Sequence, residues 1–236
     1  MKQNSYFDIG ANLTHESFDN DFLTVIEEAK LKHVKKICIT STSIEDTKVS
    51  LKLVENEQNF FITTCGIHPH YADTFEESNI EEIKKLSKHP AVKAIGETGL
   101  DLNRNYSKKE NQICCFKSQI ELAQELNLPL FLHQRDAHKD FMDCFNNTDL
   151  KVDAVVHCFT GGKQEFYEYL DKGFWIGFTG WICDPIRGKH MLDLIANMPL
   201  DRIMIETDSP YLLPKNLKIK GRRNALSSKF QIRTAF

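Results

Sequence analysis

No strong basic excess runs through this 236-residue chain: 30 Lys and Arg face 33 Asp and Glu, for a formal net charge of −3. A protein that coats duplex nucleic acid non-specifically needs such an excess, so that class is excluded. An enzyme that grips a nucleic-acid end locally is not. The seven cysteines are odd in number and include no CxxC pair. Cys38, Cys65, Cys158 and Cys183 sit in or beside apolar runs, and Cys114 and Cys115 are adjacent. They read as reduced core thiols of a cytoplasmic protein, and a chain this long needs no disulfide to complete its core. No apolar run approaches the length that crosses a bilayer, and the opening MKQNSYFDIG lacks a signal-peptide core. There is no P-loop, no GxGxxG after a strand and no GxSxG elbow. Gly66, Gly96, Gly161 and Gly162 therefore read as loop glycines and not as a nucleotide cradle. No low-complexity tract or linker divides the chain, which reads as a single domain over 1–236.

What is there is a recurring unit. Short strand-like runs alternate with longer amphipathic segments. The runs are YFDIG (6–10), KICIT (36–40), FFITTCG (60–66), AVKAIGE (91–97), LPLFLH (128–133), DAVVHC (153–158), GFWIGFTG (173–180) and RIMIETD (202–208). The clearest helical patterns lie over 21–33, 76–89, 108–127 and 163–172. Continuous apolar strands separated by helices imply a parallel sheet covered on both faces. Eight units spaced roughly thirty residues apart imply a (β/α)8 TIM barrel, with a doubly wound open sheet as the competitor. Beyond Asp208 only 28 residues remain, among them the basic stretch KNLKIKGRR (215–223). An eighth helix there is expected to be short or incomplete.

In such a barrel the chemistry sits at the C-terminal ends of the strands. Those ends are polar. Strand one gives Asp8 and then Asn12, and strand three gives His68 and His70 in GIHPH. Strand four gives Glu97, with Asp101, Arg104 and Asn105 close behind. Strand five gives His133, strand six His157, and strand eight Glu206 and Asp208. Carboxylates and histidines facing one cavity make a divalent-metal ligand set, suited to zinc, manganese, iron or water-supplemented magnesium. Single positions have plainer readings: Asp208 as a helix or turn cap before Ser-Pro, Asp8 as a loop carboxylate, Asn12 as a turn residue. Glu206 points the same way as Asp208 and reads as a support for a ligand. Arg104 and Arg135 follow the Glu97 and His133 strands, and an arginine fork there suits phosphate; Arg222 and Arg223 are open to the same reading.

The stretches FDIGANLT, CGIHPH, IGETGLDLNRN, LFLHQRDAH, VVHCFTGG, IGFTGWICD, ETDSPYLLP and GRRN resemble the TatD family of metal-dependent deoxyribonucleases, from about Tyr6 to Asn224. The resemblance implies a TIM barrel of the metal-dependent hydrolase superfamily. It implies hydrolysis of DNA, 3′→5′ on single strands or 3′ ends, with RNA as a further substrate, in DNA repair or nucleic-acid degradation. Magnesium is the implied ion, with manganese or zinc as substitutes. Carried over by position, Glu97, His133, His157 and Asp208 are the metal ligands and His68 contacts the phosphate or the attacked bond. Asp208 or Glu97 would be the general base, with His68, Arg104, Arg135 and Asn12 on the substrate. Many relatives begin Asp-x-His-x-His; here strand one reads Asp8-Ile-Gly-Ala-Asn12, so a second metal would rest on Asp8 and Asn12. Relatives also continue past Arg-Arg-Asn-Glu-Pro, whereas this chain runs into Ala225 and stops at Phe236. Three rivals stand beside the nuclease: an amidohydrolase or lactonase acting on a small carbonyl substrate, a catalytically weakened binding module, and a structural polar network at the strand ends that holds no metal. The expected partner is nucleic acid, not membrane, and the expected state is a monomer.

Overall fold

A computed structural model describes residues 5–146 and 148–217. Eight strands pair side by side in chain order, each parallel to the next. They are β1 (Tyr6–Ala11), β2 (Val34–Ile39), β3 (Phe61–Cys65), β4 (Val92–Asp101), β5 (Leu130–Arg135), β6 (Ala154–Val156), β7 (Trp175–Phe178) and β8 (Ile203–Ile205). The sheet closes where Ala11 bridges Ser209, just beyond β8. Two backbone bonds fasten that seam: the Asn12 N–H donates to the Ser209 carbonyl at 2.7 Å, and the Asp208 N–H to the Gly10 carbonyl at 2.8 Å. The result is the (β/α)8 barrel that the strand–helix alternation implies.

The connecting helices are α1 (Phe22–Leu31), α2 (Ile44–Asn56), α3 (Glu77–Leu86), α4 (Lys109–Leu126), α5 (His138–Asp143), α6 (Lys163–Asp171) and α7 (Lys189–Ile195). Their ends are set locally. Ser43 caps α2 by accepting the Asp46 N–H at 3.1 Å. Asn79 reaches back to the Glu76 N–H at the start of α3, and α4 stops at Asn127, whose φ of 51° lies in the left-handed region. An eighth helix would stand after Leu217, outside the described residues.

The strands are apolar because both faces are covered. Outside, helices bury phenylalanine against the sheet: Phe116 of α4 stacks on Phe141 of α5 at 5.2 Å between centroids. Inside, Ile9, Phe131 and Val155 form a small plug, with Ala94, Trp175 and Met204 packed against it. Phe131 is the top of that plug, its ring 4.7 Å from the ring of His157. Apolar filling thus ends where the polar strand ends begin. All seven cysteines are free thiols. Cys38, Cys65, Cys115 and Cys144 are buried, while Cys158 and Cys183, which also looked like core, are only partly so.

Candidate metal centre at the barrel mouth

Glu97 is the hub. It is buried on β4, and one of its oxygens, Oε1, meets three imidazoles. His133 Nδ1 and His157 Nε2 each lie 2.7 Å from it, and His68 Nε2 lies at 3.3 Å. The two nearer nitrogens are 3.4 Å apart. Among the described residues, His68, Glu97 and His133 form a three-member group whose ligand atoms all lie within 4.8 Å of one another. His133 and His157 come from neighbouring strands, β5 and the end of β6, so their spacing follows from the ladder.

The backbone under Glu97 explains the glycine of the ETGLD stretch. β4 does not stop at Glu97, as its apolar run suggests; after a register shift between Ile95 and Thr98 it pairs with β5 on to Asp101, with Gly99 opposite His133 and Asp101 opposite Arg135. Gly99 has φ of +148°, and a Cβ there would stand 1.9 Å from the His133 carbonyl oxygen. A side chain at 99 would therefore push β5 away and carry His133 with it.

Further carboxylates hold the imidazoles from behind. Glu206, fully buried, places Oε2 3.4 Å from His157 Nδ1, and its Oε1 accepts the Cys158 N–H. Gly177 makes room for it, since a Cβ there would meet Glu206 Oε1 at 2.7 Å. Glu206 is thus the support that its position two residues before Asp208 suggested. Asp101 is a residue that the strand-end reading noted behind Glu97 but gave no role. Its Oδ2 lies 2.8 Å from His70 Nε2 and 3.5 Å from His133 Nε2, and its Oδ1 accepts the N–H groups of Asn103 and Arg104. Two glutamines of α4 went unseen. Gln112 accepts the Asp101 N–H at 2.9 Å. Gln119 accepts the Ile67 N–H at 2.8 Å and donates to the Ile67 carbonyl and the Thr98 hydroxyl. Their signal was two polar residues, seven apart, on the apolar face of an amphipathic helix.

Asp208 sits at the seam, partly exposed, with Oδ1 accepting the Asn12 amide at 2.9 Å. Asp8 and Asn12 have different partners. Asp8 is buried and turned to Thr207, whose N–H and hydroxyl reach its two oxygens at 2.9 and 2.7 Å, with Gly10 N–H at 3.2 Å. Asn12 presents its donor amide to Asp208. Arg104 is exposed on the loop after β4. Arg135, at the end of β5, lies over the Trp181 ring at 5.4 Å, with Arg187 at 4.4 Å. Arg222 and Arg223 lie outside the described residues.

The electrostatics separate the acids. Burial alone would raise Glu97, but the His157 and His68 charges and the His133 hydrogen bond outweigh it and hold this carboxylate well below its usual range. Asp101 behaves alike: burial opposes, the His133 and His70 rings prevail. Burial pushes Asp208 up to about 7, against the pull of His157 and with help from Glu206 and Glu97. Asp8 also rises to about 7, through burial, despite its bonds to Thr207. Burial lowers His68 to about 4. It would lower His157 and His133 too, but Glu97 and Glu206 raise the first well above the imidazole range, and Asp101 and Glu97 raise the second.

The donor set fits a divalent cation. Imidazole and carboxylate converge from adjacent strands, and buried His133 Nε2 makes no hydrogen bond, facing only the Asp101 Oδ2 at 3.5 Å, so it is an imidazole nitrogen open to a ligand. The carboxylates behind the imidazoles are the supports that metal-binding histidines use.

Comparison with known proteins gives the family. A family model described as TatD related DNase matches residues 7–231. A 3′-5′ ssDNA/RNA exonuclease TatD from Rahnella sp. is 44% identical over 222 residues, covering 92% of this chain and 84% of that protein. The protein of the same name from Musicola paradisiaca is 43% identical, with the same coverage of both. The crystal structure of a TatD family hydrolase from Entamoeba histolytica superposes with a TM-score of 0.84 at 29% identity, over 98% of this chain and 90% of that one. With the match running through every strand that carries a site residue, this chain belongs to the TatD family of DNases.

Proposed function

We propose that this protein is a metal-dependent nuclease that hydrolyses phosphodiester bonds of single-stranded DNA, and of RNA, from the 3′ end. The observation that carries the reading is the convergence of His133, His157 and His68 on one oxygen of Glu97 at the mouth of a TatD-family barrel. Glu97, His133, His157 and Asp208 would hold the ion, taken as magnesium, with manganese and zinc also suited to imidazole donors. When bound, it supplies Lewis acidity at the phosphate and a lowered pKa for water.

The chain's own groups divide the remaining work. Asp208 is the general base. Its Oδ1 is held by the Asn12 amide at the seam, which fixes the carboxylate where it can take the water's proton. Glu97 is the poorer base, since histidines surround its oxygen and keep it ionised. His68 accepts the His70 N–H at Nδ1, so its own N–H is on Nε2 beside Glu97 and is the one that would turn to a non-bridging oxygen. Arg104 adds charge at the rim. Arg135 has its guanidinium against Trp181 and would serve phosphate only at the edge of the mouth. Asp8 and Asn12 act through Thr207 and Asp208; a second ion there would have to displace those bonds. A monomer is the expected state in this reading.

Strands labelled at the 3′ or the 5′ end, incubated with magnesium, manganese or EDTA, test this. Shortening from the 3′ end that EDTA stops is the expected result. His133→Ala should abolish it while leaving the circular dichroism spectrum unchanged. Normal cleavage by a folded His133→Ala protein would overturn the assignment. Hydrolysis of a small amide or lactone, without cleavage of any strand, would favour the carbonyl-substrate alternative.

A further inference from the structure

Three tyrosines stand on loops at the barrel mouth: Tyr71 after β3, Tyr106 after β4 and Tyr211 after β8. They are 50%, 64% and 49% exposed. Scattered exposed rings are ordinary; three of the four exposed tyrosines at one end of the barrel, beside its polar cluster, are not scattered. Tyr71 is tied to the site through its backbone N–H, which donates to the His68 carbonyl at 2.9 Å, and the other two through their rings or backbone. Tyr106 packs edge-on against His70 at 4.7 Å, His70 against His68 at 4.2 Å, and His68 against His133 at 4.5 Å. Ring contacts therefore run unbroken from solvent to the Glu97 cluster. Tyr211 donates its N–H to the Asp208 carbonyl at 3.0 Å and rests edge-on against His15 at 5.6 Å. Burial and the neighbouring Asp208 carboxylate push its hydroxyl pKa up. Arg104 is exposed and makes no ion pair among the described residues. The other large aromatic on this face, Trp181, is already covered by Arg187 and Arg135.

A ring held on one side and open on the other is what an unpaired base can stack on. Such stacking is worth about 1–3 kcal/mol per base and tolerates any sequence, because every base has a π-face. A base inside a duplex has both faces occupied by its neighbours, so a stacking rim distinguishes unpaired from paired strands. Tyrosine suits the task, having a large rigid ring and few rotamers to freeze. We infer that Tyr71, Tyr106 and Tyr211, with Arg104 beside them, form a stacking rim that takes the unpaired bases next to the cleaved bond and sets the preference for single-stranded ends. This rests on the nuclease reading and adds what selects the strand.

The test compares a short single strand with the same strand made abasic at its 3′-terminal nucleotides, in steady-state cleavage with magnesium. Tyr106→Ala and Tyr211→Ala should each raise KM for the based strand about tenfold, within the stacking range, with the loss in KM and not in kcat. The phenylalanine variants should restore it. On the abasic strand the wild type should already show the raised KM, and the alanine variants should add less than about twofold. Equal effects on both strands, or none on the based strand, would overturn the rim. Fluorescence anisotropy with the same strands needs no turnover and separates the two failures. Base-dependent, tyrosine-dependent binding without cleavage by any metal keeps the rim and sinks the nuclease reading. Cleavage without any base-dependent loss sinks the rim alone.

Discussion

Glu206 never reaches the open mouth, yet it sets how His157 faces it. Its carboxylate lies between His157 Nδ1 and the Cys158 N–H, in a slot that Gly177 leaves open. Removing its charge should loosen His157 without emptying the barrel. Glu206→Gln is expected to keep the fold and to weaken divalent-ion binding about 10–100-fold, the usual cost of losing a support behind a ligand; isothermal titration with manganese measures it. Unchanged affinity would reduce Glu206 to a packing residue. The contrast with Asp101 shows what a sequence can reveal at this scale. Glu97, His133, His157, Glu206 and Asp208 were legible because each closes an apolar run, and a strand's last residues face the mouth. Asp101 was given no role because two glycines break the run before it. Only the β4–β5 register shows that the strand continues. The pairing of Asp8 with Thr207 could not be read either, since it joins residues 199 positions apart in sequence.

Among the elements, α4 does more than cover the sheet. Gln119 holds both polar groups of Ile67, one residue before His68, and the hydroxyl of Thr98, one residue after Glu97. Gln119→Leu would leave these buried groups without partners, at about 1–3 kcal/mol for each. The expected outcome is a clear drop in melting temperature, together with weaker ion binding because the His68 loop loses its tether. A melting curve unchanged within a degree or so would contradict this. The strands were legible as elements because eight apolar runs alternate with amphipathic ones. Their ends were less so. β6 and β8 are three residues each, shorter than the runs DAVVHC and RIMIETD, because the last residues leave the ladder to serve the site. α5 and α7, at six and seven residues, are too short to display a helical period.

For the whole molecule, the proposed ligand set makes protons and the divalent ion competitors for the same nitrogens. Carboxylates raise His133 and His157 above the usual imidazole range, so ion binding must expel protons from them. Apparent affinity is expected to rise with pH, and to go on rising above about 6.5, the ordinary histidine value. Titration calorimetry at several pH values, in buffers of different ionisation enthalpy, counts the protons released. Stability of the metal-free protein should move the other way. Asp8, Asp208, His133 and His157 all have folded values raised above their unfolded ones. What they contribute is lost as pH rises through those folded values. Glu97 and Asp101, both lowered, give their full contribution throughout this range, and His68 loses stability only on the acid side. The melting temperature in EDTA should therefore fall as pH rises above about 6.5, and added manganese should reverse the fall by mass action. A melting temperature in EDTA that climbs with pH over this range would contradict the assignment of these groups. The barrel as a whole was the most legible feature, since strand–helix alternation admits few topologies. The expectation for the chain's ending falls beyond Leu217, outside the described residues.

The central claim is that one cluster both holds the ion and cuts the strand. The most direct measurement follows ion binding and cleavage of a 3′-labelled single strand together, as manganese is titrated into metal-free protein, for the wild type and for Glu97→Gln. Binding and cleavage should rise along one curve in the wild type, and both should vanish in a folded Glu97→Gln protein. Cleavage that persists in EDTA, or in folded Glu97→Gln, would contradict it.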